Sequence, residues 1–250
     1  MIIDQNEDKF FKFIRNSLFQ ALNNNKVILT NFLNVREQVI AKEVLNKENF
    51  NSYLFFGGYD EAEYKRLLIS PYTLCLSDTL IKIIEIDYNK RYLTLKHRKV
   101  LGALMNLGIK REVIGDILIG DKSYIIISSS IFEFLLREFK TISGVPISLK
   151  EVPKLTGDFS PNYDEKKVTC QSMRLDLLLS KMYNLNRNES KKLVCAGDIK
   201  VNHELSLNPS LVLNENDVIS IRHKGRIKII KIEGKTKKDK FKIILGSLVN

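Results

Sequence analysis

Eight cations in the last third of this 250-residue chain are spaced for holding phosphate: Arg174, Arg187, Lys191, Lys192, Lys200, Arg222, Lys224 and Arg226. Arginine offers a planar fork to a phosphate and lysine a point charge, so the chemistry they support together is non-covalent neutralisation of a polyanion. Ser190 and Asn202, lying among them, add single hydrogen bonds. No partners for bond-breaking chemistry stand nearby. His97, His203 and His223 are scattered, and Cys75, Cys170 and Cys195 are odd in number, far apart and without a CxxC, which argues against a zinc site and a disulfide framework. Gly234-Lys235-Thr236 ends like a nucleotide loop, but Ile229 stands where GxxxxGK[ST] needs its first glycine. The sequence therefore predicts no metal, no cofactor and no catalytic set.

The distribution of charge sharpens this expectation. Residues 171–250 carry 16 Lys and Arg against 8 Asp and Glu, whereas residues 1–170 carry 24 against 21. A bias towards lysine codons would act on the whole chain and does not explain that asymmetry, so a polyanionic partner is expected for the C-terminal third. Base edges are not visibly addressed by these residue types, and backbone contact should dominate. No run of about 18 apolar residues is present, and MIIDQNEDKF carries acids where a leader would carry cations, so no membrane insertion and a cytoplasmic location are expected.

The elements that must position the cations follow from periodicity. Leu175, Leu178, Leu179 and Met182 recur at i, i+3, i+4 and i+7, which predicts a short helix after an N-cap at Ser172. Asn186 precedes Glu189 by three residues, the spacing of a capping box, so a second helix should start at Arg187 and end at Gly197. On it Arg187 and Lys191 share a face, and Lys192 points about 100° further round. A strand from Ile199 to Asn202, an alternating segment Asp217–Arg222, a basic turn at His223–Arg226 and a lysine-rich hairpin at 227–232 and 241–245 complete the module.

Arg174-Leu175-Asp176, Arg187 through Glu189, Ala196-Gly197-Asp198, Val201-Asn202, Asn208-Pro209-Ser210, Asp217 and Arg222 to Arg226 resemble the S4 RNA-binding domain in order and spacing. Asn186 and His203 stand where that family often has Ser and Gly. The resemblance implies recognition of structured RNA by the face that the two helices and the adjoining loop make.

Upstream, Phe10, Phe13, Ile14 and Leu18, then Val35, Val39 and Val44, predict two or three helices within the first fifty residues. Tyr53–Phe56 reads as a strand, Gly57-Gly58 as a turn, Asp60–Arg66 as a polar helical turn, and Leu67–Ile69 as a second strand. From Ile81 to Val152 the order is βαββαβ, with strands at 81–86, 113–119, 123–127 and 147–152 and helices at 98–106 and 131–139. That order predicts a ferredoxin-like, RRM-like sheet with helices on one face. Its central strands, KIIEI and YIIIS, offer only Tyr124 to a base, so stacking of the usual RRM kind is not expected. Residues 154–171, polar and interrupted by Gly157 and Pro161, read as a linker.

The segments GGYDEAEYKRLL and HRKVLGALMNLGIKREVIGDIL resemble the YlmH family of bacterial S4 proteins. The expected class is α+β: a helical N-terminal region with a strand hairpin at 1–75, an RRM-like domain at 76–153, the linker, and an S4 domain at 172–250. The family resemblance implies a non-enzymatic partner of rRNA, tRNA or both, on the large ribosomal subunit carrying peptidyl-tRNA in ribosome quality control. It also implies a link to cell division, and the alternative reading is a protein-interaction factor whose N-terminal and middle domains bind a protein partner while the basic S4 domain acts as a non-specific tether. S4 modules also occur on RNA-modifying enzymes, but no methyl-donor loop, catalytic-aspartate segment or synthetase signature is present.

Overall fold

The computed structural model describes residues 5–157, 159, 163–222 and 224–248. The chain divides into two compact units, 1–160 and 161–250. His223, expected in the basic turn, and Pro161, expected in the linker, lie outside the described residues.

The first unit opens with α1 (Gln5–Asn24), β1 (Ile28–Leu33), α2 (Val35–Lys47), β2 (Tyr53–Phe56) and β3 (Lys65–Ile69). The expected helices are α1 and α2, and a strand that was not expected, Ile28–Leu33, lies between them; β1, β3 and β2 form an antiparallel sheet in that order. Asp60–Arg66 is a loop running into β3 rather than a helical turn. Asn34 caps α2, its side chain accepting from Glu37 N while the Glu37 carboxylate accepts from Asn34 N. Ile14, Leu18, Leu45, Leu67 and Ile69 form the buried seam between helices and sheet.

The chain continues through β4 (Ile81–Tyr88), α3 (His97–Asn106), β5 (Ile114–Leu118), β6 (Ser123–Ser128), α4 (Phe132–Glu138), β7 (Thr141–Ile142) and β8 (Val145–Val152). The sheet order β5-β6-β4-β8-β7 is the ferredoxin-like order with one short edge strand added. Ile84, Ile86, Ile125 and Ile127 meet Val100, Leu104 and Leu135 of the helices. β6 is buried along its whole length, although side chains alternate across a strand, so its second face must be covered as well. Covering it are Phe32 of β1 and the loop after β2. A Cβ at Gly115 would lie 2.8 Å from Phe32 Cε1 and 3.2 Å from Ile126 Cγ2, which requires glycine there.

Two polar groups tie these layers together. Arg66 is buried and donates to the carbonyls of Thr30 (2.8 Å), Thr79 (2.9 Å) and Leu80 (3.2 Å), and burial lowers its pKa to about 10. The Asp116 carboxylate accepts from Tyr59 Oη (2.7 Å), Glu63 N (2.8 Å) and Tyr64 N (3.0 Å). Burial raises the Asp116 pKa despite those donors, and burial together with that carboxylate pushes the Tyr59 phenol up.

The second unit contains β9 (Tyr163–Cys170), α5 (Leu175–Tyr183), α6 (Arg187–Cys195), β10 (Ile199–Val201), β11 (Glu204–Leu205), β12 (Val218–Ile221), β13 (Gly225–Lys235) and β14 (Phe241–Leu248). Its six-stranded antiparallel sheet runs β11-β10-β12-β13-β14-β9. The segment expected as a linker is thus corrected: residues 163–170 are the edge strand β9, paired with β14 from Cys170↔Phe241 to Tyr163↔Leu248. Leu175, Leu178 and Leu179 of α5 and Val194 of α6 pack on Ile199, Ile219, Ile227, Ile229 and Ile243. Asn202 and His203, with φ of 50° and 71°, make the two-residue turn between β10 and β11.

Candidate nucleic-acid interface

The helix pair of the second unit begins on two different caps. Asn186 and Glu189 form the expected capping box, with Glu189 N donating to Asn186 Oδ1 at 2.9 Å and Asn186 N to Glu189 Oε2 at 2.8 Å. Gly197, φ 79°, ends α6 in the left-handed region that glycine enters without strain. The cap expected at Ser172 is corrected to Arg174, whose side chain caps nothing. There the amides of Leu175 and Asp176 donate to Leu211 O (2.9 Å) and Pro209 O (3.0 Å) of the loop before β12, so backbone carbonyls replace the side-chain cap.

At that helix start lies a cluster of charge around one carboxylate. Asp176 has no exposed surface, and its carboxylate receives Arg174 in two bonds, Nε to Oδ1 at 3.1 Å and Nη2 to Oδ2 at 2.8 Å. Arg187 Nε stands 3.9 Å from the same Oδ2 while its side chain stays 61% exposed. One buried anion thus orients the Arg174 guanidinium and stands near that of Arg187, and two cations against one anion leave one net positive charge in the cluster. The hydrogen bond to Asp176 holds the Arg174 pKa above its usual value. Asp176 carried no role in the sequence reading. The signal for it was an acid in the first turn of a helix, flanked by residues of the apolar stripe.

The other expected residues separate into groups. Lys192 is exposed on α6 and Lys191 half-buried beside it. Arg222 is 71% exposed with Nη1 3.7 Å from Asp198 Oδ1. Lys224 Nζ lies 4.9 Å from the centre of the Tyr183 ring at the end of α5, and Tyr183 Oη donates to Lys224 O at 3.4 Å. Burial of that ring raises the phenol pKa.

Two expectations fail on packing. Ser190 is fully buried and its hydroxyl donates to Asn186 O at 3.1 Å, so it faces the core and not a ligand. Asn202 is spent on its own turn: Nδ2 donates to Asp217 Oδ1 at 2.8 Å and Oδ1 accepts from Val218 N at 2.9 Å. Lys200 and Arg226 sit in one cross-strand row with Ser220 between them. Because Ile199, Val201, Ile219, Ile221 and Ile227 turn inward to the helices, alternation sends that row to the opposite face of the sheet. The ten expected residues therefore do not share one surface.

In the first unit, Tyr124 is fully buried, its hydroxyl 2.7 Å from Thr156 Oγ1 and its ring edge-on to Phe159 at 5.5 Å. The sheet face that an RRM presents to bases is occupied by the chain's own Phe32, Arg66 and Phe159. Among the described residues no group of three or more His, Cys, Asp or Glu is placed to hold a metal ion, and no helix is long and apolar enough to cross a membrane.

Comparison with known proteins adds three findings. Residues 76–156 match the family described as "Putative RNA-binding domain in YlmH", and residues 173–219 match the S4 domain. The chain is 35% identical over 220 residues to "Ribosome-associated protein quality control protein P2" of Bacillus subtilis, covering 86% of this chain and 85% of that one. It also resembles the solved structure "Cell division protein ylmH from Streptococcus pneumoniae", with a TM-score of 0.53 and 26% identity over 61% of this chain and 94% of the other.

Proposed function

This chain belongs to the YlmH family of S4-domain proteins, and on that premise we propose that it is a non-enzymatic protein that docks on folded ribosomal RNA, tRNA or both. The observation that carries this reading is the Asp176 cluster. A fully buried carboxylate at the start of a helix fixes the orientation of the Arg174 guanidinium and draws that of Arg187 to within 3.9 Å, so two cations are gathered at one point of the surface. Arg174, Arg187, Lys191 and Lys192 on the helices, with Arg222 and Lys224 in the turn, would neutralise phosphates. Lys200 and Arg226, on the other face of the sheet, would supply field rather than contact.

The Bacillus relative is named as a ribosome-associated quality control protein, and this supports the same setting here, on the large subunit carrying peptidyl-tRNA. Sedimentation of lysate through a gradient tests it: the protein should travel with the large subunit and leave it as salt is raised. A protein that stays at the top of the gradient at low salt refutes it.

The name of the Streptococcus structure favours a second reading, a division factor whose basic domain is a tether. A tether binds folded RNA and duplex DNA alike at matched salt, whereas the docking reading requires preference for the RNA.

A further inference from the structure

The closed face of the middle sheet leaves open where that domain meets a nucleic acid. The segment between β4 and the first turn of α3, Asn89–Lys99, contains Lys90, Arg91, Lys96, Arg98 and Lys99 and no Asp or Glu. Among the described residues none of those five takes part in an ion pair. Lys90 Nζ donates to the carbonyl of Asp121 (2.6 Å) and Lys99 Nζ to that of Thr94 (3.1 Å), which fixes the segment without cancelling its charge. At its start Asn89 Oδ1 accepts from Arg91 N at 3.0 Å and Asn89 O accepts from Tyr92 N at 3.1 Å, a closed turn.

The segment is held from below. Leu93 and Leu95 are 4% and 5% exposed within the middle core, so alternation along this extended stretch sends Tyr92, Thr94 and Lys96 outward. Tyr92 is 76% exposed, the highest value among the exposed large hydrophobic residues that are described. An exposed aromatic ring on an anchored segment, flanked by cations without carboxylate partners, is the combination that binds unpaired nucleotides: the ring stacks a base and the cations take the neighbouring phosphates.

We infer that Asn89–Lys99 is a second RNA contact, separate from the S4 helices, which takes an unpaired base on Tyr92 and adjoining phosphates on Arg91, Lys96 and Arg98. The inference rests on the RNA-binding reading above and adds to it the kind of RNA, one with an unpaired loop beside a helix. Charge complementarity selects a polyanion, and the uncovered ring selects one with exposed bases over a duplex.

The test uses the full chain and two labelled probes, an RNA hairpin with an unpaired purine loop and a blunt RNA duplex of the same stem. Tyr92→Ala should weaken hairpin binding about 5-fold or more, Tyr92→Phe should restore it, and the duplex should not distinguish them. Arg91→Gln, Lys96→Gln and Arg98→Gln together should lower the slope of log K against log salt by about 2 on the hairpin. Ultraviolet cross-linking of the unmutated chain to a thiouridine-containing loop should recover the peptide bearing Tyr92, a readout independent of any variant. Hairpin affinity unchanged by Tyr92→Ala, with no cross-link at Tyr92, overturns the inference. If Arg187→Gln/Lys191→Gln still weakens binding in that case, the proposed function stands. A wild-type chain that binds neither probe overturns the proposed function itself, and this inference with it.

Discussion

Replacing Arg187 and Lys191 together with glutamine isolates what the α6 face contributes to binding. Glutamine suits the structure better than glutamate. A carboxylate at 187 would stand near Asp176, whose Oδ2 is 3.9 Å from the arginine Nε, and would mix a folding defect with a binding defect. Lys191 is half-buried, and glutamine keeps part of its stem in place. Each phosphate contact releases about 0.7–0.9 of a counterion, so losing two should lower the slope of log K against log salt by about 1.4–1.8. At about 0.1 M salt that corresponds to a loss of about 25- to 60-fold, shrinking as salt approaches about 1 M. Stability should change by about 0.5 kcal/mol or less per site, because both are surface substitutions. Fluorescence anisotropy with a labelled folded RNA across about 0.05–0.2 M salt reads both affinity and slope. A double variant with the wild-type circular dichroism spectrum, wild-type affinity and wild-type slope removes α6 from the interface, and the proposed docking face with it.

Three further outcomes are expected. A fragment of residues 161–250 should fold and keep most of the affinity for isolated RNA, whereas a fragment from 172 lacks β9, with the core residues Val168 and Cys170, and should melt at a lower temperature in a thermal scan. Arg66→Met should leave the carbonyls of Thr30, Thr79 and Leu80 without their donor and cost about 2–5 kcal/mol in a urea titration, against no change in S4-mediated RNA affinity. Because burial raises the Asp116 pKa, the folded chain takes up that proton at a higher pH than the unfolded chain, whose value is 3.8. Stability from this group therefore grows as pH falls through the folded pKa towards 3.8, and Asp116→Asn should remove that component from urea titrations between pH 7 and pH 4; identical slopes in both proteins would contradict it.

Local signals predicted local structure well. The box at Asn186 and Glu189, the stop at Gly197 and the βαββαβ order of the middle domain are all written in spacings of a few residues, and the structure contains each of them. What stayed hidden depends on distant partners. YDEKKVTC has the charge of a linker because an edge strand keeps much of its length in water, and only its pairing with β14 makes it a strand. Ile28–Leu33 lacks clean alternation because its end residues Phe32 and Leu33 are both buried, one towards the middle sheet and one towards the helices. Ser190 looked like a contact by type, whereas its spacing of four from Val194, on the buried side of α6, was the better guide. Asp176 could be read only with Arg174 and Arg187 in place around it.

The pairing of β9 with β14 sets an order of events during synthesis. Among the described residues the first strand of the second unit has β14 as its strand partner, so its backbone ladder waits until residues 241–248 have left the ribosome. The helices that carry Arg174 and Arg187 are made early in this interval, on a sheet that is not yet closed, while the first unit already has all its own strands. The basic helix face of a nascent chain thus rests first on β10, β12 and β13, and gains Ile243 and Leu245 of the core when β14 arrives. This closure joins the most sequence-distant pair of strands in the sheet and so carries its largest loop-closure entropy.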